Sequence, residues 1–117
     1  MNFSPILIVT GEPNSVFLEI FFKSLKKSKI KNPLILISSE KILKLQMKKF
    51  KFKKKIRLLD YKKINQYKLN NKSINLINVK FNQNKAFEKI SSKSNNFIKT
   101  SFNLAFKIIR NNSINKF

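Results

Sequence analysis

Cysteine, histidine and tryptophan are missing from this 117-residue chain, glycine occurs once, and five acidic residues face 26 basic ones. Without cysteine there is no disulfide framework, no thiolate nucleophile and no cysteine-ligated metal. Without histidine the chain lacks the commonest general base and the commonest metal ligand, so it offers no metal site of its own. No apolar run approaches the roughly 18–20 residues that span a bilayer. The N-terminus opens on an apolar segment without the charged region and small-residue cleavage site of a secretion signal. The expectation is a cytoplasmic protein that does not cross a membrane.

Arginine is nearly absent as well. Only Arg57 and Arg110 are arginines, and the formal net charge is +21. A balance this basic ordinarily points to a nucleic-acid or anionic-membrane partner. The shortage of arginine argues otherwise, because bidentate phosphate and base recognition favours the guanidinium fork. Lys, Asn, Ile and Phe, which crowd this chain, have A/T-rich codons, whereas Gly, Ala and Arg mostly have G/C-rich ones. Codon bias is therefore the simpler source of the charge. Its lysines should spread over the solvent faces of several elements: Lys23, Lys26 and Lys27, then Lys44, Lys48 and Lys49, then Lys99 and Lys107. No specific nucleic-acid partner is expected. The alternative is a small basic RNA- or polyanion-binding protein whose lysines converge with Phe50, Phe52 or Tyr61, letting the rings stack on bases. The run Lys48–Lys55 reads more simply as a solvated helix end with two phenylalanines turned to the core.

What is present suits a folded domain. Hydrophobic residues make up 42% of the chain, enough for a core and too much for a disordered segment of this charge. Ile6–Val9 and Leu34–Ile37 are short, continuous, branched runs of the kind buried in parallel sheets. Ile56–Leu59 and Ile74–Val79 read as further strands. Apolar residues at helical intervals predict helices over Asn14–Lys27 and Phe97–Arg110, the latter with Phe97, Ile98, Ser101, Phe102, Ala105, Ile108 and Ile109 on one face. A third helix, capped by Ser38 or Ser39 with Glu40 in its first turn, should carry Ile42, Leu43, Leu45, Gln46 and Met47 and fade near Phe50. Ser28–Asn32 is a lysine-rich connector, Tyr61–Ser73 an extended connection, and Lys80–Ser94 a surface loop in which Phe81, Phe87 and Ile90 need somewhere to pack. Asn111 and Asn112 suit a helix stop. The fold class is α/β, one unit over residues 1–117, with a parallel or mixed sheet and helices on its faces. A further strand should follow the last helix, yet the sequence ends at Asn115-Lys116-Phe117, as a truncated or excised piece of a longer enzyme would.

The one glycine sits in Thr10-Gly11-Glu12-Pro13-Asn14-Ser15-Val16-Phe17-Leu18-Glu19, directly after the first strand. A lone glycine there marks backbone with positive φ or a close approach. The turn is neither a dinucleotide GxGxxG nor a Walker phosphate loop. It resembles the opening of the 4-hydroxythreonine-4-phosphate dehydrogenase family, a strand followed by Thr-x-Gly-Asp-Pro-Ala-Gly-Ile-Gly-Pro-Glu. Gly11, the acid Glu12, Pro13, the aliphatic Val16 and the closing Glu19 match in spacing. Asn14, Ser15, Phe17 and Leu18 depart from it, removing two glycines and a proline. Pro33–Ser38 resembles the second strand of that family, and Lys89–Ala105 its Lys-x-Ser turn and following helix.

The resemblance spans this whole chain but only about the first third of a family member. It implies an incomplete piece of an isocitrate/isopropylmalate-dehydrogenase-like fold. It also implies an NAD-dependent, metal-assisted homodimeric oxidoreductase acting on 4-phosphohydroxy-threonine in pyridoxal phosphate biosynthesis. Gly11 and Glu12 would lie beside cofactor or substrate, at the carboxyl end of the first strand. The histidine metal ligands and a Thr-x-Pro-x-x-Lys segment would lie beyond Phe117, so this piece alone should be inactive. Glu40, Asp60 and Glu88 stand isolated, and no catalytic pair is visible among them.

Overall fold

The computed structural model describes residues 4–27 and 29–112. The start of the expected connector at Ser28 and the ending Asn115-Lys116-Phe117 lie outside them. Four strands, β1 (Ile6–Val9), β2 (Leu34–Ser38), β3 (Ile56–Leu58) and β4 (Ile74–Asn78), form one sheet in the order β1-β2-β4-β3. Every pairing is parallel, with Ile6 beside Leu34, Leu36 beside Leu76 and Ile56 beside Ile74. The sheet is thus parallel rather than mixed.

Parallel strands need long crossovers, and helices supply most of them. α1 (Phe17–Lys27) links β1 to β2, α2 (Glu40–Lys49) follows β2, and α3 (Asn95–Asn112) follows β4. All five residues of β2 are buried, which requires cover on both faces. α1 packs with α2, whereas α3 packs over β1, β2 and the 3-10 turn Tyr61–Gln66. These two groups form the outer layers. The core runs through Leu7, Ile35, Leu36, Ile37, Leu43, Leu76 and Ile108, all fully enclosed.

Local chemistry moves several boundaries from those expected. α1 begins at Phe17, not Asn14, because Ser15 folds back: its N–H and its hydroxyl both donate to the Glu12 carbonyl, at 3.2 and 2.8 Å. Ser15 Oγ then accepts from the Phe17 N–H (3.3 Å), and Val16 O accepts the first helical bond from Ile20. Ser39 caps α2, its side chain accepting from the Ile42 N–H at 3.2 Å, while Ser38 stays in β2. β3 and β4 each stop one residue short of the expected ends, at Leu58 and Asn78. The connection after β3 is not extended throughout. Asp60 accepts from the Lys62 N–H at 2.9 Å and starts the 3-10 turn, whose Ile64 is buried. A second 3-10 turn at Ser92–Ser94 starts α3 early, and Asn111 and Asn112 continue that helix rather than stopping it.

The end of α2 explains the two phenylalanines of the lysine run. Lys51 N–H bonds the Lys48 carbonyl (3.3 Å) and Phe52 N–H bonds the Met47 carbonyl (2.9 Å), with Lys51 at φ 53°. This is the Schellman closure, with lysine in the left-handed position that glycine usually fills. It drives Phe52 inward to stack on Phe22, ring centroids 4.8 Å apart.

Candidate switch-point crevice

A ligand crevice in an open α/β sheet lies at the carboxyl ends of neighbouring strands whose following helices go to opposite faces. Here β2 and β4 are neighbours, α2 leaves β2 on one face, and α3 leaves β4 on the other. Between their ends lies a cleft of about 310 Å³ lined by Ser39, Glu40, Lys41, Asn78, Lys80, Phe81 and Asn82. Asn78 Oδ1 accepts from the Glu40 N–H at 2.8 Å, tying the end of β4 to the start of α2.

Residues 82–84 connect this cleft to the Gly11 turn. In this Asn-Gln-Asn segment successive side chains bond in opposite directions. Asn82 and Asn84 accept from Lys41 Nζ at 3.2 and 2.9 Å. Gln83, between them and buried, turns to Asn14. The two amides pair reciprocally, Asn14 Nδ2 to Gln83 Oε1 at 3.0 Å and Gln83 Nε2 to Asn14 Oδ1 at 2.7 Å. Asn14 Oδ1 also accepts from the Glu88 N–H at 2.9 Å. Gln46, on the inner face of α2, donates through Nε2 to the carbonyls of Pro13 and Ala86 at 2.9 and 3.0 Å. Three segments distant in sequence are therefore locked into one rim.

The structure places Gly11 and Glu12 where the sequence put them, at the carboxyl end of β1. Gly11 has φ 73°, and a Cβ built on it would meet nothing within 4 Å. Its positive φ favours glycine there, and the described residues leave the position open. One Glu12 carboxylate oxygen accepts from the Asn14 N–H at 3.1 Å and from the Ser94 hydroxyl at 3.0 Å. Ser94 is buried just before α3, so Glu12 anchors that helix to the first turn. Glu40, Asp60 and Glu88 stay apart: Glu40 pairs with Lys44 at 3.1 Å, Glu88 with Lys93 at 3.6 Å, and Asp60 caps its own turn.

Two cofactor fits follow from these contacts. The N–H groups of Asn14, Ser15 and Phe17 are engaged within the turn, and its sequence is not that of a dinucleotide phosphate loop. The chain has no histidine or cysteine, and no group of three or more acidic, histidine or cysteine side chains converges among the described residues. The donor set does not fit a metal.

Sequence reading missed Lys41, Gln46, Asn82, Gln83, Asn84 and Ser94. Gln46 alone carried a local signal, a polar residue inside the buried stripe Ile42, Leu43, Met47, where a side-chain amide needs partners. Phe50 and Phe52 were offered as base-stacking rings. Phe52 is buried and Phe50 half-buried, edge-on to Phe22 and Phe87 at 6.4 and 5.8 Å. Of the surface-loop residues, Phe81 packs on Phe97 at 5.3 Å, while Ile90 remains exposed. Tyr61 keeps a half-buried ring with Lys62 and Lys107 ammonium groups 5.9 and 5.5 Å away. None of the described helices is long and apolar enough to cross a membrane.

No protein-family model matches the chain, and no curated protein does. Solved structures do. A 4-hydroxythreonine-4-phosphate dehydrogenase from Burkholderia phymatum superposes with a TM-score of 0.81 and 18% identity, over 97% of this chain and 35% of that one. A Salmonella typhimurium protein assigned to the same enzyme type gives 0.78 and 19%, with the same coverage. The chain has the fold of the corresponding part of these dehydrogenases and spans about a third of their length (35%).

Proposed function

We propose that this chain is the N-terminal part of an NAD-dependent dehydrogenase acting on 4-phosphohydroxy-threonine in pyridoxal phosphate biosynthesis. The observation that carries the reading is the match over 97% of the chain to dehydrogenases of that name. It agrees with the strand–Gly11–Glu12–Pro13–helix opening, which points to the same family by residues alone. In this reading the switch-point crevice forms one wall of the substrate site. Gly11 and Glu12 shape that wall from below, Glu12 by holding Ser94 and with it the start of α3.

The remaining machinery belongs to polypeptide outside this chain. A metal would need donors that the described residues lack. Oligomerisation as a homodimer and residence in the cytoplasm belong to the same proposal.

The test is NADH formation from 4-phosphohydroxy-threonine, by this chain alone and by this chain joined to the polypeptide encoded downstream. Turnover is expected only from the joined protein. Turnover by the 117 residues alone would overturn the assignment of the chemistry to absent segments. A folded joined protein that leaves the substrate untouched would overturn the dehydrogenase reading.

A further inference from the structure

Among the described residues β3 ends one side of the sheet, paired only with β4. The Ile74 N–H bonds the Lys55 carbonyl and the Leu59 N–H bonds the Leu76 carbonyl, both at 2.8 Å. Backbone groups alternate sides along a strand, so those of Lys55, Arg57 and Leu59 face β4 and those of Ile56 and Leu58 face the open edge. Side chains alternate as well, which puts Ile56 and Leu58 on one face of the sheet. On that face Ile56 lines a groove of about 410 Å³, with Met47 of α2 and Phe52 also on its floor. Leu58, next along the same face, is 53% exposed. Arg57, between them, turns the other way, its guanidinium 5.1 Å from the Tyr67 ring centre. A sheet edge is ordinarily shielded by charged side chains on the edge itself. Here lysines flank the strand instead, Lys53 and Lys54 at the groove's rim, and the two residues with outward backbone groups are both aliphatic.

We propose that the open edge of β3 takes an added strand from an acidic partner polypeptide. Its apolar side chains continue the groove floor at Ile56 and Leu58, and its carboxylates meet Lys53 and Lys54. In this mode main-chain bonds to the sheet edge give affinity, and pockets for alternate side chains give specificity. Charge decides the occupant. Glu40 and Lys44 also line the groove, but they pair with each other at 3.1 Å, which leaves the rim positive. A second copy of this chain does not suit the edge, since each copy carries +21 and its five acidic residues are scattered along the sequence. RNA would meet the cations but would use neither the aliphatic floor nor the open backbone. Such docking does not depend on the dehydrogenase reading, because the edge of β3 belongs to the folded chain itself.

The experiment titrates the 117-residue chain with a short capped peptide of alternating aspartate and valine. Salt is held at about 150 mM, where loose attraction between exposed charges is screened beyond about 8 Å. Amide shifts and amide hydrogen exchange are followed by NMR. Saturable binding is expected, with exchange slowed at Ile56 and Leu58. A peptide alternating aspartate and serine carries the same charge and should bind about tenfold more weakly, for want of the apolar contact. Leu58→Ser should weaken the aspartate–valine peptide by a similar factor, on a side chain exposed enough for the fold to tolerate its loss. The double variant Lys53→Gln, Lys54→Gln should weaken binding and flatten its salt dependence. It serves as the second test if the Leu58 variant does not fold. Lys99→Gln, on α3 across the sheet, should leave binding unchanged. Equal binding of the two acidic peptides, or equal losses from Lys99→Gln and Leu58→Ser, would overturn the site. So would a uridine oligonucleotide that displaces the peptide as well as the peptide displaces itself. Binding that leaves exchange at Ile56 and Leu58 unaltered would overturn strand addition and put the ligand in the groove without sheet pairing.

Discussion

Two residues of opposite kind occupy left-handed backbone, Gly11 at φ 73° and Lys51 at φ 53°. Open space surrounds the Gly11 Cα, so alanine there meets no clash and costs only the conformational penalty, about 1–2 kcal/mol. Lys51 holds the position after a helix where glycine is favoured, so Lys51→Gly should stabilise by roughly 0.5–1 kcal/mol. Urea unfolding of the two variants checks the pair; effects of the same sign would show that contacts, not φ, decide these positions. Gln46 poses a different question at the same scale. Gln46→Leu keeps the volume but strips donors from the Pro13 and Ala86 carbonyls. At about 1–3 kcal/mol for a buried acceptor left unpaired, the loss should reach about 2 kcal/mol or more. A midpoint unchanged in the same unfolding measurement would show that water replaces the amide.

Among the elements, the strands were the most legible part of the sequence. Leu34–Ile37 is apolar throughout because both faces of β2 are covered, and a doubly buried strand must read that way. Ile6–Val9 reads the same although, among the described residues, β1 is an edge strand paired only with β2. The turn chemistry around Gly11 was half legible. Its glycine announced a positive φ, but the delay of α1 to Phe17 arises from side-chain bonds of Ser15 and Asn14 that compete with the helix. The rim was not legible. Asn14 and Gln83 lie 69 residues apart, and Gln46 and Pro13 lie 33 apart, so no local pattern encodes either pair. The lysine run was resolved by aromatics rather than charge. Phe52 closes over Phe22, so Phe52→Ala should cost about 3–5 kcal/mol, whereas Lys53→Ala beside it should stay within about 0.5 kcal/mol. Thermal or urea unfolding checks both. A Phe52 variant of native stability that lost RNA affinity instead would return that ring to a nucleic-acid groove.

For the molecule as a whole, the radius of gyration is 13.8 Å, close to the roughly 13.4 Å of a compact domain of this length. The sheet and its two helical layers are therefore about as compact as a domain of this length. The charge of +21 rides on that frame and does not define it, since lysines sit on all three helices while Phe52 packs inward and, among the described residues, only Tyr61 keeps its ring beside two ammonium groups. The central claim is that this frame is one part of a longer dehydrogenase. The most direct measurement is the DNA sequence downstream of the codon for Phe117. The account predicts coding sequence there, in frame or displaced by a frameshift, for a Thr-x-Pro-x-x-Lys segment followed by spaced histidines. Downstream DNA that encodes neither in any frame would contradict it.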